Sequence, residues 1–250
     1  MTLKPISIIL CALALAFACT ATAFAAACCA GGSACCPVVA AVAVPDNTLT
    51  PAEKAAGWQL LFDGKTLNGW QSTSGKTDGW PAENGALACT GKTGAYLYTP
   101  QMFGNFELKC DFRVDHGTNS GIFFRWTNPA DPVQTGIEMQ VYDTSGKANP
   151  DKHDCGAVYD IMAPSENMMK PAMEWNSVDI KCLNNWISIT MNGKRIIALD
   201  LNRWTEPHKN PDGTENKFDQ AYKDMVKPGH IGFQDHGGRV WYKNIKIREL

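Results

Sequence analysis

The sequence Gly136-Ile137-Glu138-Met139-Gln140-Val141-Tyr142-Asp143 alternates apolar and polar side chains along its length. Successive side chains of a β-strand point to opposite faces, so this pattern predicts a strand with two unlike faces. The apolar face holds Ile137, Met139 and Val141, and the polar face holds Glu138, Gln140 and Tyr142. A carboxylate, a carboxamide and a phenol in register predict the floor of a polar groove. The alternative is the solvated outer face of a sandwich.

Other stretches of the chain follow the same alternation and are separated by turn signals such as Asn192-Gly193. The predicted strands span 58–62, 87–89, 96–98, 106–114, 121–126, 137–142, 157–159, 175–183, 186–191, 195–199, 230–235 and 240–248. Only 50–56 and 217–225 are predicted to be short helices. This pattern predicts an all-β fold, a sandwich of two antiparallel sheets. In 121–126, strict alternation places Ile122, Phe124 and Trp126 on one face and Gly121, Phe123 and Arg125 on the other.

Composition limits the class of partner. The chain has 250 residues, a formal net charge of −2 and 44% hydrophobic residues. A charge this small does not indicate a nucleic acid or an acidic membrane surface as partner. The predicted folded part, roughly 200 residues, is long enough to bury one core.

The N-terminal region indicates export. Lys4 is followed by an apolar run over residues 6–17, and Ala23-Phe24-Ala25 fits a cleavage site. We therefore predict a signal peptide over residues 1–25 and a periplasmic or extracellular protein with no transmembrane segment in its mature form. Cys19 is the alternative processing point, where a lipid would anchor the chain to the membrane, although Phe17 is bulky for that signal.

Residues 26–48 are rich in Cys and Ala and carry no charge before Pro45, which predicts a low-complexity tether ahead of a domain over 49–250. Vicinal cysteine pairs at 28–29 and 35–36 could bind metal, form disulfides or take a lipid. Four further cysteines lie in the body: Cys89, Cys110, Cys155 and Cys182. Export permits disulfides, but the sequence does not select a pairing.

The segment 147–174 lacks periodicity and contains three prolines, four methionines and His153. A long irregular segment inside a compact domain is more often functional than accidental. The segment is therefore predicted to be a functional loop.

Several motifs taken together resemble the 3-keto-disaccharide hydrolase domain family. They are the opening Trp58 to Trp70, Ser120 to Arg125, Gly136 to Asp143, Gly156 to Asp160, Gly229 to Gly237, and the closing Lys243 to Leu250. The resemblance runs from Trp58 to the end of the chain and implies a concanavalin A-like jelly roll whose concave sheet holds sugar. The sequence departs from the family pattern in a longer polar segment at 205–227, which bears on the rim of that groove.

The resemblance also implies a substrate, a glycoside already oxidised to a ketone at C3. The ketone acidifies the hydrogen on C2, so a base can remove it to give an enolate. The C1 oxygen then leaves by elimination, and water can add back for net hydrolysis. This route needs a base, a group that holds the enolate charge, and a proton donor for the leaving group.

With the resemblance in view, the predicted catalytic residues are Glu138, His236, Tyr159 and Arg125. Glu138 or His236 would be the base, and Arg125 would hold the enolate or orient Glu138. Tyr159 would close over the leaving group from the irregular loop. The predicted substrate-binding residues are Gln140, Tyr142, Asp143, His153, Asp160 and Gln234. Structural alternatives are an ion pair between Arg125 and Glu138, a core position for Tyr159, a surface His153 and a turn-capping His236.

A divalent metal that polarises the ketone is a further hypothesis. Its ligands would come from Glu138, Asp143, His153 and His236. The spacing of these residues does not require a metal, and the sequence contains no HExxH or EF-hand pattern.

Two other functions suit the same fold. An ordinary glucanase needs two carboxylates facing one bond, but Glu138 and Asp143 are five residues apart, so a regular strand points them to opposite faces. A non-catalytic, lectin-like carbohydrate-binding module is the main alternative, because the eight tryptophans of the chain suit stacking on sugars. The mixed polar groove favours the enzyme.

Overall fold

The computed structural model describes residues 44–250, so the predicted signal peptide and most of the predicted tether lie outside the described residues. Helices in this part of the chain are short: α1 (Pro51–Ala55), α2 (Pro132–Thr135), and the 3-10 turns η1 (Leu201–Arg203) and η2 (Tyr222–Met225). No helix within residues 44–250 has the length and apolar character needed to cross a membrane.

Thirteen strands make up the rest of the regular structure. They are β1 (Gln59–Leu60), β2 (Gln71–Ser72), β3 (Ala82–Glu83), β4 (Ala86–Cys89), β5 (Leu97–Tyr98), β6 (Phe106–Val114), β7 (Asn119–Trp126), β8 (Ile137–Tyr142), β9 (Asn176–Leu183), β10 (Trp186–Met191), β11 (Lys194–Asp200), β12 (His230–Phe233) and β13 (Val240–Glu249).

These strands form two antiparallel sheets. The large sheet has the order β11-β10-β9-β6-β13-β4-β3, with β1 also paired to β13. The small sheet has the order β2-β5-β12-β7-β8. The two-sheet, nearly all-β architecture confirms the predicted fold class. Both sheets combine strands that lie far apart in sequence, since β13 closes against β6 and β12 inserts between β5 and β7.

The core lies between the sheets and follows the alternation in the sequence. On β8, Ile137, Met139 and Val141 are fully buried and belong to the main apolar cluster. On β6, every second residue from Phe106 to Val114 is buried against them. Each fully buried side chain of this size contributes roughly 1.5–3 kcal/mol to folding. This apolar set fixes β8 in its register, so its polar face must point outward.

Strand β7 departs from the predicted alternation at a β-bulge. His230 pairs with Trp126, yet Gly232 pairs with Phe123, so β7 contains one more residue than β12 across this interval. Arg125 takes a left-handed backbone, with φ of 51°. The prediction that Trp126 shares the inner face with Ile122 and Phe124 is therefore wrong. The extra residue reverses the alternation, and Trp126 lies on the outer face with Phe123.

Three predicted elements are shorter or less regular than the sequence indicated. The strand predicted over 58–62 is reduced to two residues, and the helix predicted over 217–225 is reduced to η2. The segment 157–159 forms isolated bridges through Val158 rather than a full strand. The described end of the predicted tether is packed, because Asn47 is buried and bonded to Asn244 and to the carbonyl of Gly85.

The four body cysteines are buried free thiols in residues 44–250. Cys110 and Cys182 both lie in the main apolar cluster, on neighbouring strands of the large sheet. In this position they act as small apolar side chains that fill the core.

Candidate active site

The outer face of the small sheet carries Glu138, and a glycine makes room for its side chain. Glu138 lies on β8 opposite Phe123 of β7, and the residue as a whole is 8% exposed. A Cβ built on Gly121 would lie 2.3 Å from Oε1 of Glu138 and 2.9 Å from Cε2 of Phe123. The carboxylate therefore lies over the bare backbone of Gly121, where any larger residue would displace it.

The Glu138 carboxyl has an unusual electrostatic environment. Burial raises its pKa to about 7, and the charge of Lys217 is the one opposing influence. No hydrogen bond to the carboxyl contributes to this shift. Desolvation without a close ion pair makes a carboxylate a stronger base than it is in water. A general base is most effective when its pKa lies near the working pH, and a pKa of about 7 would suit a base that works near neutral pH.

The irregular loop predicted to be functional runs along β8 and extends the small sheet. The N–H of Tyr159 donates to the carbonyl of Glu138 at 3.0 Å, and the N–H of Gln140 donates to the carbonyl of Ala157 at 2.9 Å. Gly156 returns a bond to the carbonyl of Gln140 at 2.9 Å. These bonds hold half-buried Tyr159 directly beside Glu138. The structure therefore brings the irregular loop alongside the strand that carries Glu138.

Asp160 holds the rim of the groove together. Its Oδ1 lies 2.7 Å from Nζ of Lys152 and 3.1 Å from Nε2 of His153, and its Oδ2 accepts from the N–H of Lys217 at 2.8 Å. Burial alone would raise the pKa of Asp160, but the bonds from Lys152 and from the backbone of Lys217 lower it overall. Asp160 and His153 thus bind each other in the rim, and Asp160 is a poor candidate for a proton donor.

Lys217 was not among the predicted site residues. Its Nζ lies 4.1 Å from the centre of the Tyr159 ring, and it forms no salt bridge among the described residues. It comes from the polar segment 205–227, which the sequence identified only as a departure from the family pattern. Stacking on Tyr159 holds this cation close enough to Glu138 for its charge to lower the pKa of that carboxyl.

Two glutamines supply further polar atoms. Nε2 of Gln140 donates to the carbonyl of His153 at 3.2 Å, and Nε2 of Gln234 donates to Oη of Tyr96 at 2.7 Å. The Oε1 atoms of both glutamines are buried without a partner among the described residues. Unpaired buried acceptors are rare in folded proteins, and a hydroxyl-rich ligand would satisfy them.

An aromatic cluster adjoins the polar residues on the same face. Its members are Tyr96, Tyr98, Phe123, Trp126 and His230, with ring centroids 5.1–6.1 Å apart. Tyr96 and Tyr98 are half-buried and cover Trp126. Sequence reasoning missed this cluster. The period-2 spacing of Tyr96 and Tyr98 was an available signal, whereas the bulge that turns Trp126 outward has no signature in the alternation.

The remaining predicted residues have separate positions. Nη2 of Arg125 donates to the carbonyl of Asn184 at 2.6 Å, and Asn184 belongs to the turn between β9 and β10 of the large sheet. The predicted ion pair of Arg125 with Glu138, and the predicted place of Arg125 in the groove, are therefore wrong; the bulge turns its side chain away.

The last three predicted residues lie near the ends of strands. Tyr142 is half-buried at the end of β8, and Asp143 accepts from the N–H of Gly117 at 2.9 Å. His236 is exposed beyond the end of β12.

The four proposed metal ligands do not gather in one place. Across residues 44–250 no group of three or more His, Cys, Asp or Glu side chains is arranged to hold a metal ion. Asp143 is used by Gly117 and His153 by Asp160, so Glu138 and His236 have no third ligand from this set. The residues present therefore do not fit the predicted metal site.

Comparison with known families bears on the predicted resemblance. A sequence profile of the 3-keto-alpha-glucoside-1,2-lyase-like domain matches residues 57–248, well over half of the chain. The chain belongs to this family. The match begins one residue before Trp58, where the resemblance was predicted to start, and it includes β8, the irregular loop and Lys217.

Individual proteins that are similar to this chain are consistent with the family match. A protein of Bacteroides thetaiotaomicron named 3-keto-disaccharide hydrolase is 28% identical over an alignment of 242 residues, and the match covers 82% of this chain and 82% of that protein. Two crystal structures of candidate glycosyl hydrolases from Parabacteroides distasonis are also similar. One is 32% identical with a TM-score of 0.70 and covers 77% of this chain and 99% of its own. The other is 28% identical with a TM-score of 0.69 and covers 82% and 100%.

Proposed function

We propose that this lyase-like domain cleaves the glycosidic bond of a 3-keto-glycoside, and that the cleavage begins with proton removal by Glu138. The relatives support a glycoside-hydrolase type of function, and the name of the Bacteroides thetaiotaomicron protein supports a 3-keto sugar as substrate. The observation that carries the proposal is the Glu138 carboxyl. It is buried over Gly121 on the outer face of the small sheet with a pKa of about 7, as a base for a weakly acidic C–H needs.

In the first step the Glu138 carboxylate takes the proton from C2 of the sugar. The electron pair of the broken C–H bond forms a C2=C3 double bond, and the ketone oxygen becomes negatively charged. Lys217 is the cation whose charge acts on Glu138, and its ammonium lies on the Tyr159 ring beside it. As the negative charge passes from Glu138 to the substrate, this cation stabilises the enolate.

In the second step the C3=O bond re-forms, C1 and C2 become doubly bonded, and the bond from C1 to the leaving oxygen breaks. The leaving oxygen needs a proton, and Tyr159 is assigned as the donor because hydrogen bonding holds it next to Glu138. Burial, followed by the charges of Glu138 and Asp160, raises the pKa of Tyr159, which keeps the phenol protonated. Addition of water across C1=C2 then completes a net hydrolysis.

The aromatic cluster favours a second candidate, a non-catalytic sugar-binding module. Half-buried Tyr96 and Tyr98 provide rings on which the apolar face of a sugar could stack. Such a module would bind a 3-keto-glycoside without consuming it. Binding and turnover measured on the same preparation therefore separate the two functions.

The first prediction is that Glu138→Gln lowers kcat/KM for a 3-keto-glycoside at least about a hundredfold, because the amide keeps the shape and cannot accept the proton. Mass spectrometry of the products measures turnover. In D2O the wild-type product should carry deuterium at C2, which direct displacement at C1 would not introduce.

Glu166→Gln is the matched control, since Glu166 is an exposed carboxylate paired with Lys194 away from the groove. This variant should keep wild-type turnover. Retained turnover in a folded Glu138→Gln protein would contradict the assignment of the base. Binding without any turnover in the wild type would favour the sugar-binding module.

A further inference from the structure

Arg125 is a buried cation whose hydrogen-bonding capacity is largely unused. The residue is 1% exposed, and its Nη2 donates to the carbonyl of Asn184. Its Nε and Nη1 are buried and have no partner within residues 44–250. A buried guanidinium that lacks a counter-charge is costly, because desolvation is not offset by an attraction of similar size.

Two other arginines of the described chain also bury an unpaired Nε, but their charges are compensated. The Arg113 guanidinium lies between two indole rings, 4.9 Å from that of Trp175 and 4.5 Å from that of Trp241. Arg248 bonds to the carboxylate of Glu107. Arg125 has neither an aromatic ring nor a carboxylate beside it among the described residues. The charge of Arg125 therefore lacks the kind of partner, an aromatic ring or a carboxylate, that Arg113 and Arg248 have.

Arg125 lines a pocket of about 230 Å³ at the edge of the sandwich. A second cation, Lys227, lines the same pocket, and no Asp or Glu does so. In this wall Nδ2 of Asn105 donates to Oδ1 of Asn184 at 3.3 Å, and the backbone N–H of Asn184 donates to Oδ1 of Asn105 at 2.7 Å. One side of the pocket is therefore lined by two cations and by two asparagines that can form hydrogen bonds.

The other side of the pocket is apolar. Val226 is 38% exposed, and Pro228 lines the pocket next to it. The bulge that turns Trp126 toward the sugar groove turns Arg125 toward this pocket, so the two sites lie on opposite sides of β7. A positive wall facing an apolar wall suits a ligand with one anionic end and one apolar end.

We propose that this pocket binds a small organic carboxylate, with its anionic end toward Arg125 and its apolar end toward Val226 and Pro228. The forked N–H donors of a guanidinium match the geometry of a carboxylate. Such a ligand supplies the counter-charge that Arg125 lacks. This site is separate from the groove and does not depend on the proposed glycosidase activity.

The test measures binding of acetate, butyrate and inorganic phosphate to the protein by thermal shift and by calorimetry, with sodium chloride holding ionic strength constant. Butyrate should raise the melting temperature more than acetate, since its chain reaches the apolar wall, and phosphate should raise it least. Arg125→Met should abolish the response. Lys227→Met should weaken it severalfold, and Lys76→Met, an exposed lysine elsewhere, should leave it unchanged.

A second variant keeps the test decisive if Arg125→Met does not fold. A Cβ on Gly104 would meet only Cγ of Pro228, at 3.6 Å, so Gly104→Met places a side chain in the pocket without disturbing the backbone. This variant should fold and lose butyrate binding. The proposal is overturned if the wild type does not respond to carboxylates, if Gly104→Met responds equally, or if phosphate binds more tightly than butyrate.

Discussion

Glu138 links the proposed chemistry to the stability of the fold. Its pKa is raised from 4.5 to about 7 in the folded protein, so the folded state keeps a proton that the unfolded chain releases between these values. The free energy of unfolding therefore falls as pH rises through this window. A shift of this size corresponds to about 3 kcal/mol at pH 8. With Glu138 as the proposed base, the same ionisation should make kcat/KM rise with pH toward a plateau above about 7.

The second prediction follows from this loss of stability with rising pH. Glu138→Gln removes the titrating group, so the variant should be more stable than the wild type at pH 8, by up to about 3 kcal/mol, and nearly equal to it at pH 5. Urea unfolding at the two pH values measures the difference. Equal stability of the two proteins at both values would show that the carboxyl is not desolvated in the fold.

The third prediction concerns Gly121. In Gly121→Ala the new methyl group would lie 2.3 Å from Oε1 of Glu138, and the carboxylate is the group that can move. We expect kcat to fall about tenfold to a hundredfold, because misplacing a base by about 1 Å has effects of this size. The melting temperature should fall only modestly: φ of Gly121 is not in the left-handed region, but the ring of buried Phe123, 2.9 Å from the new methyl group, must also shift. Unchanged kcat would mean that the carboxylate works from another position.

At the residue scale, alternation predicted the outward positions of Glu138 and Gln140 correctly, because their apolar neighbours must face the core. The same rule failed for Arg125 and Trp126. A bulge depends on how two strands pair, and that pairing is determined by β12, about a hundred residues further along the chain. Single-strand periodicity does not contain this information.

At the scale of elements, the polar segment 205–227 makes a contribution that the sequence did not predict. It supplies Lys217, the cation that lies near Glu138. The segment 205–227 contains no strand and only the short turn η2. Its N–H at Lys217 bonds to Asp160, and the Gln134 side chain bonds to the carbonyl of Lys217 at 3.1 Å. The backbone is thus held on both sides while the ammonium remains free of salt bridges among the described residues. Periodicity could not reveal a role that depends on these long-range contacts.

The fourth prediction tests the charge of Lys217. Its cation lowers the pKa of Glu138, so Lys217→Met should move the acidic limb of the kcat/KM profile to higher pH, by up to about one unit. Lys217→Arg retains the charge and should leave the limb near its original position. The pH profiles of the three proteins measure the effect. A limb that does not move in Lys217→Met would separate this lysine from the base.

The irregular loop at 147–174 shows what an aperiodic segment can do in a sandwich. The sequence indicated a functional loop by its length and lack of pattern. In the structure Tyr159 of this loop bonds to the backbone of Glu138, and Asp160 bonds to the backbone of Lys217. The sequence did not indicate that residues 156–159 would hydrogen-bond to the edge of β8. Edge pairing of this kind satisfies backbone groups that a free edge strand would expose.

On the scale of the whole molecule, strand content and turn signals predicted two antiparallel sheets, and the structure has them. The order of strands within each sheet was not predictable, because neighbours such as β6 and β13 are more than a hundred residues apart. The start of the domain was predicted at residue 49. Asn47 is nevertheless buried, through contacts with Gly85 and Asn244 that no local pattern reveals.

The fifth prediction concerns the contribution of the Asn47 contacts to stability. Asn47→Ala loses the bonds of its side chain with the carbonyl of Gly85 and the N–H of Asn244, and it forces alanine into a left-handed backbone with φ of 54°. We expect a loss of about 2–3 kcal/mol in the free energy of unfolding. Asp46→Ala, which removes a partly exposed ion pair with Lys243 and a bond from Nδ2 of Asn244, should lose about 1 kcal/mol. Urea unfolding of the full chain compares the two variants.

The bulge in β7 has an evolutionary consequence. One inserted residue places Trp126 in the aromatic cluster and Arg125 in the positively lined pocket. Deleting that residue would restore strict alternation and remove both features in a single event. The two features should therefore be inherited together. An alignment of related chains should contain those with both and those with neither, and chains that keep the outward tryptophan without the bulge should be absent.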